Sequence, residues 1–125
     1  HFKRINDTFG HATGDAVLKQ LSKTLHDALR STDVLGRLGG EEFGILFPET
    51  SLAAARATAD RLRVMAGMIE TRAENSLEMV RFTVSMGVAQ AAGEVTSAEE
   101  LMGLADSALY RAKHSGRNRV VCATD

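Results

Sequence analysis

The chain has 125 residues, enough for one domain around a single buried core. Hydrophobic residues make up 44% and charged residues 25%, and a formal net charge of −1 gives no bulk attraction to DNA or anionic lipid, so any charged site is a local arrangement. One cysteine, Cys122, rules out an internal disulfide framework and suits a reducing, cytoplasmic setting; no apolar stretch reads as a membrane span or a signal peptide. Neither nucleic acid nor membrane is expected as a partner of this segment. The chain opens at His1 rather than methionine, which fits the cytoplasmic part of a longer membrane or sensory protein.

From Asp15 to Arg30 the apolar residues Val17, Leu18, Leu21, Leu25, Ala28 and Leu29 recur on one face, predicting an amphipathic helix. Val34 to Leu38 and Glu42 to Phe47 read as short strands, separated by Gly39-Gly40, a dipeptide able to take the positive φ angles of a tight hairpin. Pro48 ends the second strand, and Thr50 or Ser51 can cap a further helix carried by Leu52, Ala55, Ala59, Leu62, Met65 and Ile69. Between Glu78 and Val88 the period changes to two, with Val80, Phe82, Val84, Met86 and Val88 on one face of a predicted strand. Ser97 to Glu100 has the form of a capping box. It opens a helix through Leu101, Leu104, Ala108, Leu109 and Ala112 that Gly116 can stop, and Val120 to Cys122 makes a closing strand. Alternating helices and strands with one central hairpin predict an α/β sandwich, helices packed on a mixed or antiparallel sheet.

The candidate chemistry lies at Arg37-Leu38-Gly39-Gly40-Glu41-Glu42-Phe43. Two glycines remove the side chains that keep a ligand off the backbone, and two carboxylates follow at once. Hard oxygen ligands suit Mg²⁺, which binds through one or two carboxylates plus substrate phosphates. The plainer alternative is an exposed hairpin whose glutamates keep it soluble. The four histidines have no metal-ligand spacing, no Cys/His zinc cluster exists, and no Ser–His–Asp arrangement can be argued. Phe43, Phe47 and Phe82 read as core, and His11 as structural.

Two further blocks flank the hairpin: Phe2-Lys3-x-Ile5-Asn6-Asp7-x-Phe9-Gly10-His11-x-x-Gly14-Asp15 before it, and Ser115-Gly116-Arg117-Asn118 after it. With all three in this order, the sequence resembles the GGDEF family of diguanylate cyclases, in its GGEEF variant, over essentially residues 1–125 as one domain. The resemblance implies a ferredoxin-like, nucleotidyl-cyclase palm sandwich around a mainly antiparallel sheet.

It also implies roles. Asn6 and Asp15 match the pair that reads guanine, an amide and a carboxylate suited to its polar edge; a turn Asn and a helix-start Asp are the structural alternatives. Glu41 matches a metal-binding acid, and Glu42 the acid that completes the metal site or positions the attacking 3′-hydroxyl. Gly39 and Gly40 approach the nucleotide through their backbone. Lys3, Lys113 and Arg117 match cations near the triphosphate, with a solvated basic surface as the alternative. Arg30-Ser31-Thr32-Asp33 fits the R-x-x-D inhibitory site for dimeric cyclic di-GMP, with Arg61 a secondary contact. The implied reaction joins two GTP into cyclic di-GMP with Mg²⁺ or Mn²⁺, and one GTP per domain implies a two-fold homodimer. The alternatives are a cyclic di-GMP or GTP sensor without turnover, and a ligand-free dimerisation module.

The family pattern starts earlier than His1, with a first strand and an acidic segment that carries another metal-binding aspartate. On that expectation the 125 residues alone turn over little or no GTP.

Overall fold

The computed structural model describes residues 2–74, 76–91 and 97–125. In chain order its elements are α1 (Phe2–Phe9), α2 (His11–Ala28), β1 (Val34–Gly39), β2 (Glu42–Leu46), α3 (Leu52–Gly67), β3 (Thr71–Arg72), β4 (Met79–Val80), β5 (Met86–Val88), α4 (Ala98–His114) and β6 (Val120–Cys122). They fall into two compact units, 1–48 with 65–82, and 49–64 with 83–125.

In the first unit, α1 and α2 meet at Gly10, whose φ of 91° is open to glycine and strained for a side chain. Its N–H donates to Asn6 O at 2.9 Å, and its carbonyl accepts from Gly14 N at 3.1 Å, so one residue closes one helix and starts the next. The apolar stripe of α2 buries Val17, Leu18, Leu21 and Leu25 as predicted. The helix begins at His11, however, four residues before the expected start. Thr13 and Gly14 are buried contact residues without an apolar signature, so the pattern of hydrophobic residues underestimates the helix. Asp15 therefore stands inside α2 and not at its start.

Ile5, Val17, Ala73 and Val80 form a core cluster, flanked by Phe9 and Phe82. The antiparallel pair β3–β4 is tied to α2 by polar contacts: Thr71 Oγ1 donates to Gln20 Oε1 at 2.6 Å, and Glu74 N to Thr13 Oγ1 at 3.0 Å. Phe43, Phe47 and Phe82, read as core, are each half-buried, and Phe82 packs against this cluster.

In the second unit, Ser51 caps α3 by accepting from Ala54 N at 3.1 Å, and Ser97 caps α4 by accepting from Glu100 N at 3.1 Å. The C-terminus of α4 closes as a Schellman turn: Arg117 N donates to Ala112 O at 3.0 Å while Gly116 takes φ 126°. β5 and β6 pair in parallel, Met86 opposite Val120 and Val88 opposite Cys122. Arg56 forms an ion pair with Asp125, whose carboxylate also accepts from Cys122 N at 2.9 Å. Leu62, Ala108 and Ala112 are fully buried here.

The predicted strand from Glu78 to Val88 is two short strands, β4 and β5, with residues 81–85 outside any strand. The alternation remains in the burial, since Val80 is buried, Phe82 and Val84 are half-buried, and Arg81 and Thr83 are exposed. A strand also needs a hydrogen-bonded neighbour, and period-two hydrophobicity says nothing about that. The strands pair in three separate two-stranded sheets where one sheet was expected: β1–β2 and β3–β4, both antiparallel, in the first unit, and β5–β6, parallel, in the second.

Candidate active site

The hairpin pairs Val34 with Leu46 through Arg37 with Phe43, then shifts register so that Gly39 faces Glu42. Leu38 is the extra residue of this bulge, and the two-residue loop is Gly40-Glu41, one position later than the expected Gly39-Gly40. Gly40 has φ 48° and Gly39 φ 152°. A Cβ at either position would meet no atom of the described residues within 4 Å, so these glycines answer a backbone requirement and crowd nothing described above the turn. Arg37 braces the loop by donating from Nε to Gly40 O at 2.8 Å, a role that nothing in the residue pattern announced.

Glu41 lies in the loop and Glu42 opens β2; both are exposed and neither forms an ion pair among the described residues. The described residues hold no cluster of three or more His, Cys, Asp and Glu. Two adjacent carboxylates therefore fit a hard cation that takes its remaining ligands from phosphate and water, the habit of Mg²⁺, and do not fit an all-protein cage.

Asn6 stands on α1 and Asp15 on α2. The Asn6 side-chain oxygen is buried without a hydrogen-bond partner among the described residues, and the Asp15 carboxylate is exposed. Asp15 lines a groove of about 1050 Å³ that runs along α2 past Lys19 and Lys23 to Arg30 and Asp33, with Arg37 and Phe43 on its hairpin side. The structure thus brings Asp15 and the R-x-x-D residues onto one surface. The backbone of Lys3 belongs to α1, and its side chain lies outside the described residues.

Arg30 and Asp33 form a closed pair. Arg30 Nη2 donates to Asp33 Oδ1 at 2.9 Å and Arg30 N to Asp33 Oδ2 at 2.9 Å, with the Asp33 side chain 3% exposed and that of Arg30 60% exposed. The carboxylate is turned inward and the guanidinium outward, where it can meet phosphate or stack on a base. The Arg30 guanidinium, helped by the Arg30 N–H, holds the Asp33 carboxyl below its ordinary range. The pair is fully charged above the usual carboxylate pKa of about 3.9, and it is lost as pH falls through the depressed value. A carbon-detected NMR titration of Asp33 should show a midpoint below that of a free Asp, and Arg30→Ala should bring it back up. An ordinary midpoint in the parent protein would contradict the pairing.

In the second unit, Lys113 is in the last turn of α4, and Arg117 follows with φ 61°, its Nη1 donating to Lys113 O at 3.2 Å. Asn118 is also left-handed, at φ 45°. It is held by Arg63 Nη1 donating to its Oδ1 at 2.8 Å and by its own N–H donating to Ser85 Oγ at 3.2 Å. Ser85 and Arg63 were not among the expected site residues, because their part is visible only through long-range contacts. Arg61 is on an exposed face of α3. Among the described residues no helix is long and apolar enough to cross a membrane.

The family profile described as "Diguanylate cyclase, GGDEF domain" matches residues 1–119. This chain belongs to the GGDEF family. Among curated relatives of this GGDEF chain, the response regulator PleD of Caulobacter vibrioides is 43% identical over 120 residues, covering 96% of this chain and 26% of PleD. The diguanylate cyclase DgcM of Escherichia coli K12 is 45% identical over 122 residues, covering 98% of this chain and 28% of DgcM. The chain thus spans about a quarter of the length of these relatives. Among solved structures, the GGDEF domain of DgcB from Caulobacter crescentus, in complex with c-di-GMP, superposes with a TM-score of 0.94 at 34% identity, covering 100% of this chain and 73% of that one. The active GGEEF domain of a Vibrio cholerae diguanylate cyclase gives 0.88 at 32% identity, covering 98% and 76%. The fold is therefore that of the cyclase palm.

Proposed function

We propose that residues 1–125 are part of a GGDEF domain that, together with its native preceding segment, acts as a diguanylate cyclase, condensing two GTP into cyclic di-GMP and two pyrophosphates. The observation that carries this is the hairpin: a braced, bare turn with two exposed carboxylates, in a chain whose relatives are named diguanylate cyclases.

In this reading Asn6 and Asp15 bind the guanine edge, and Lys3, Lys113 and Arg117 offset triphosphate charge. Glu41 and Glu42 would hold Mg²⁺, or Mn²⁺, which when bound supplies charge stabilisation at the reacting phosphate. The 3′-oxygen of one GTP forms a bond to the α-phosphorus of the other as the bond to pyrophosphate breaks. Glu42 orients that hydroxyl and takes its proton. The same step in the opposite direction closes the ring. One domain offers one GTP, so two copies face each other and the protein's contribution is positioning and neutralisation.

Arg30 and Asp33 form the product-inhibition site. Support comes from the outward guanidinium on its buried carboxylate, and from a neighbouring fold solved with c-di-GMP bound. The purified protein with its native flanking sequence, given GTP and Mg²⁺, should release cyclic di-GMP and pyrophosphate in a one-to-two ratio by ion-exchange chromatography. Absence of product at any enzyme concentration would sink the proposal.

A further inference from the structure

We infer that Gly14 is a positioning residue for guanine selectivity, its missing side chain being the seat over which the Asn6 amide folds. This inference rests on the reading of Asn6 as a guanine contact. An ideal Cβ at Gly14 would lie 1.7 Å from Asn6 Oδ1 and 2.9 Å from Asn6 Cγ, with the Phe2 ring next at 3.2 Å. The distance to Oδ1 is less than half the usual non-bonded separation of about 3.5–4.0 Å between heavy atoms. A methyl group and the amide cannot occupy this place together.

The backbone around the seat has little freedom to adjust. Asn6 O accepts from Gly10 N at 2.9 Å and Gly10 O accepts from Gly14 N at 3.1 Å, so the two residues are linked through consecutive hydrogen bonds. Gly14 has no positive φ and lies within α2, where alanine would be the better helix former. Neither backbone conformation nor helix propensity calls for glycine here; the space taken by the Asn6 side chain does.

The Asn6 side chain itself gains little from the fold. Among the described residues its Oδ1 is buried without a hydrogen-bond partner, a condition that costs stability and is kept where some other role requires it. Asp15, the other proposed guanine contact, follows Gly14 directly on α2, so the residue that seats the amide is the neighbour in sequence of the one that carries the carboxylate. A base edge is discriminated by such paired groups only if both keep their places.

The test is a double-mutant cycle with Asn6→Ala, Gly14→Ala and the double variant, reading the affinity ratio for non-reactive α,β-methylene analogues of GTP and ATP by calorimetry. Asn6→Ala should lower the GTP-over-ATP ratio about tenfold, the loss of roughly one hydrogen bond. Gly14→Ala should lower it by a similar factor, and the double variant no further than Asn6→Ala alone. A Gly14→Ala protein with the parental ratio, or single effects that multiply in the double variant, would overturn the inference while leaving the function intact. An unchanged ratio in Asn6→Ala would instead overturn the guanine assignment itself. If Gly14→Ala fails to fold, the clash predicts that adding Asn6→Ala restores a cooperative melt; a double variant that stays unfolded refutes the seat.

Discussion

Glu42→Gln should reduce cyclic di-GMP formation by at least about a hundredfold, with the fold intact and GTP still bound. The substitution keeps side-chain size and changes a carboxylate to an amide. Glu42 faces Gly39 across the hairpin, and its side chain is exposed without an ion pair among the described residues. Surface changes of this kind alter stability by no more than about 0.5 kcal/mol. What the amide removes is a negative oxygen donor to a hard cation and an acceptor for the 3′-hydroxyl proton. Asn6 and Asp15 lie on α1 and α2, outside the hairpin, so guanine recognition should persist. The measurement is initial rate by product chromatography, alongside GTP affinity and a urea melt. A variant that keeps a tenth or more of parental turnover would remove Glu42 from the reaction. A variant that loses GTP binding together with turnover would make it a binding group only. A protein that binds GTP and cyclic di-GMP but yields no product even as the parent would belong to the sensor reading.

Local chemistry was legible in the sequence wherever a residue acts on its own neighbourhood. Ser97 and Gly116 bracket α4 as predicted because a cap hydroxyl and a left-handed glycine act within a few residues. The hairpin lay within one residue of its expected turn because Gly40 must reach a positive φ. The candidate site was legible in the same sense: carboxylate, amide and cation announce their chemistry by type, and their order carried the family resemblance. What stayed hidden depends on which distant surface arrives. The helix Phe2–Phe9 was read only as a ligand motif, though Ile5 and Phe9 join the core with helical spacing. The left-handed conformation of Asn118 accompanies contacts with Arg63 and Ser85, and that of Arg117 accompanies bonds to the carbonyls of Ala112 and Lys113. Arg37 and Gly14 stood in the motif blocks without a role of their own, since a brace on a carbonyl and a seat for an amide appear only in three dimensions.

Gly87 shows the same limit at the largest structural cost. In the alternating pattern it is a small residue on the exposed side of a strand. In the structure it pairs with Val121, and the α4 backbone lies against it: a Cβ would stand 2.1 Å from Ala105 O, 2.3 Å from Leu109 N and 2.9 Å from Leu109 Cα. Flexible side-chain ends can yield to a methyl group, whereas helix backbone must move as a body. Gly87→Ala is therefore expected to destabilise the protein by about 3 kcal/mol or more, the upper range for overpacking. Because α4 leads into the loop bearing Arg117, a displaced helix should also lower activity at temperatures where the variant is still folded. Gly103, within α4 and with no atom of the described residues within 4 Å of its Cβ, is the matched control. Gly103→Ala should stabilise by up to about 1 kcal/mol through helix propensity. Urea unfolding of both variants decides the matter. Equal midpoints would mean that α4 does not approach β5 as closely as these distances state.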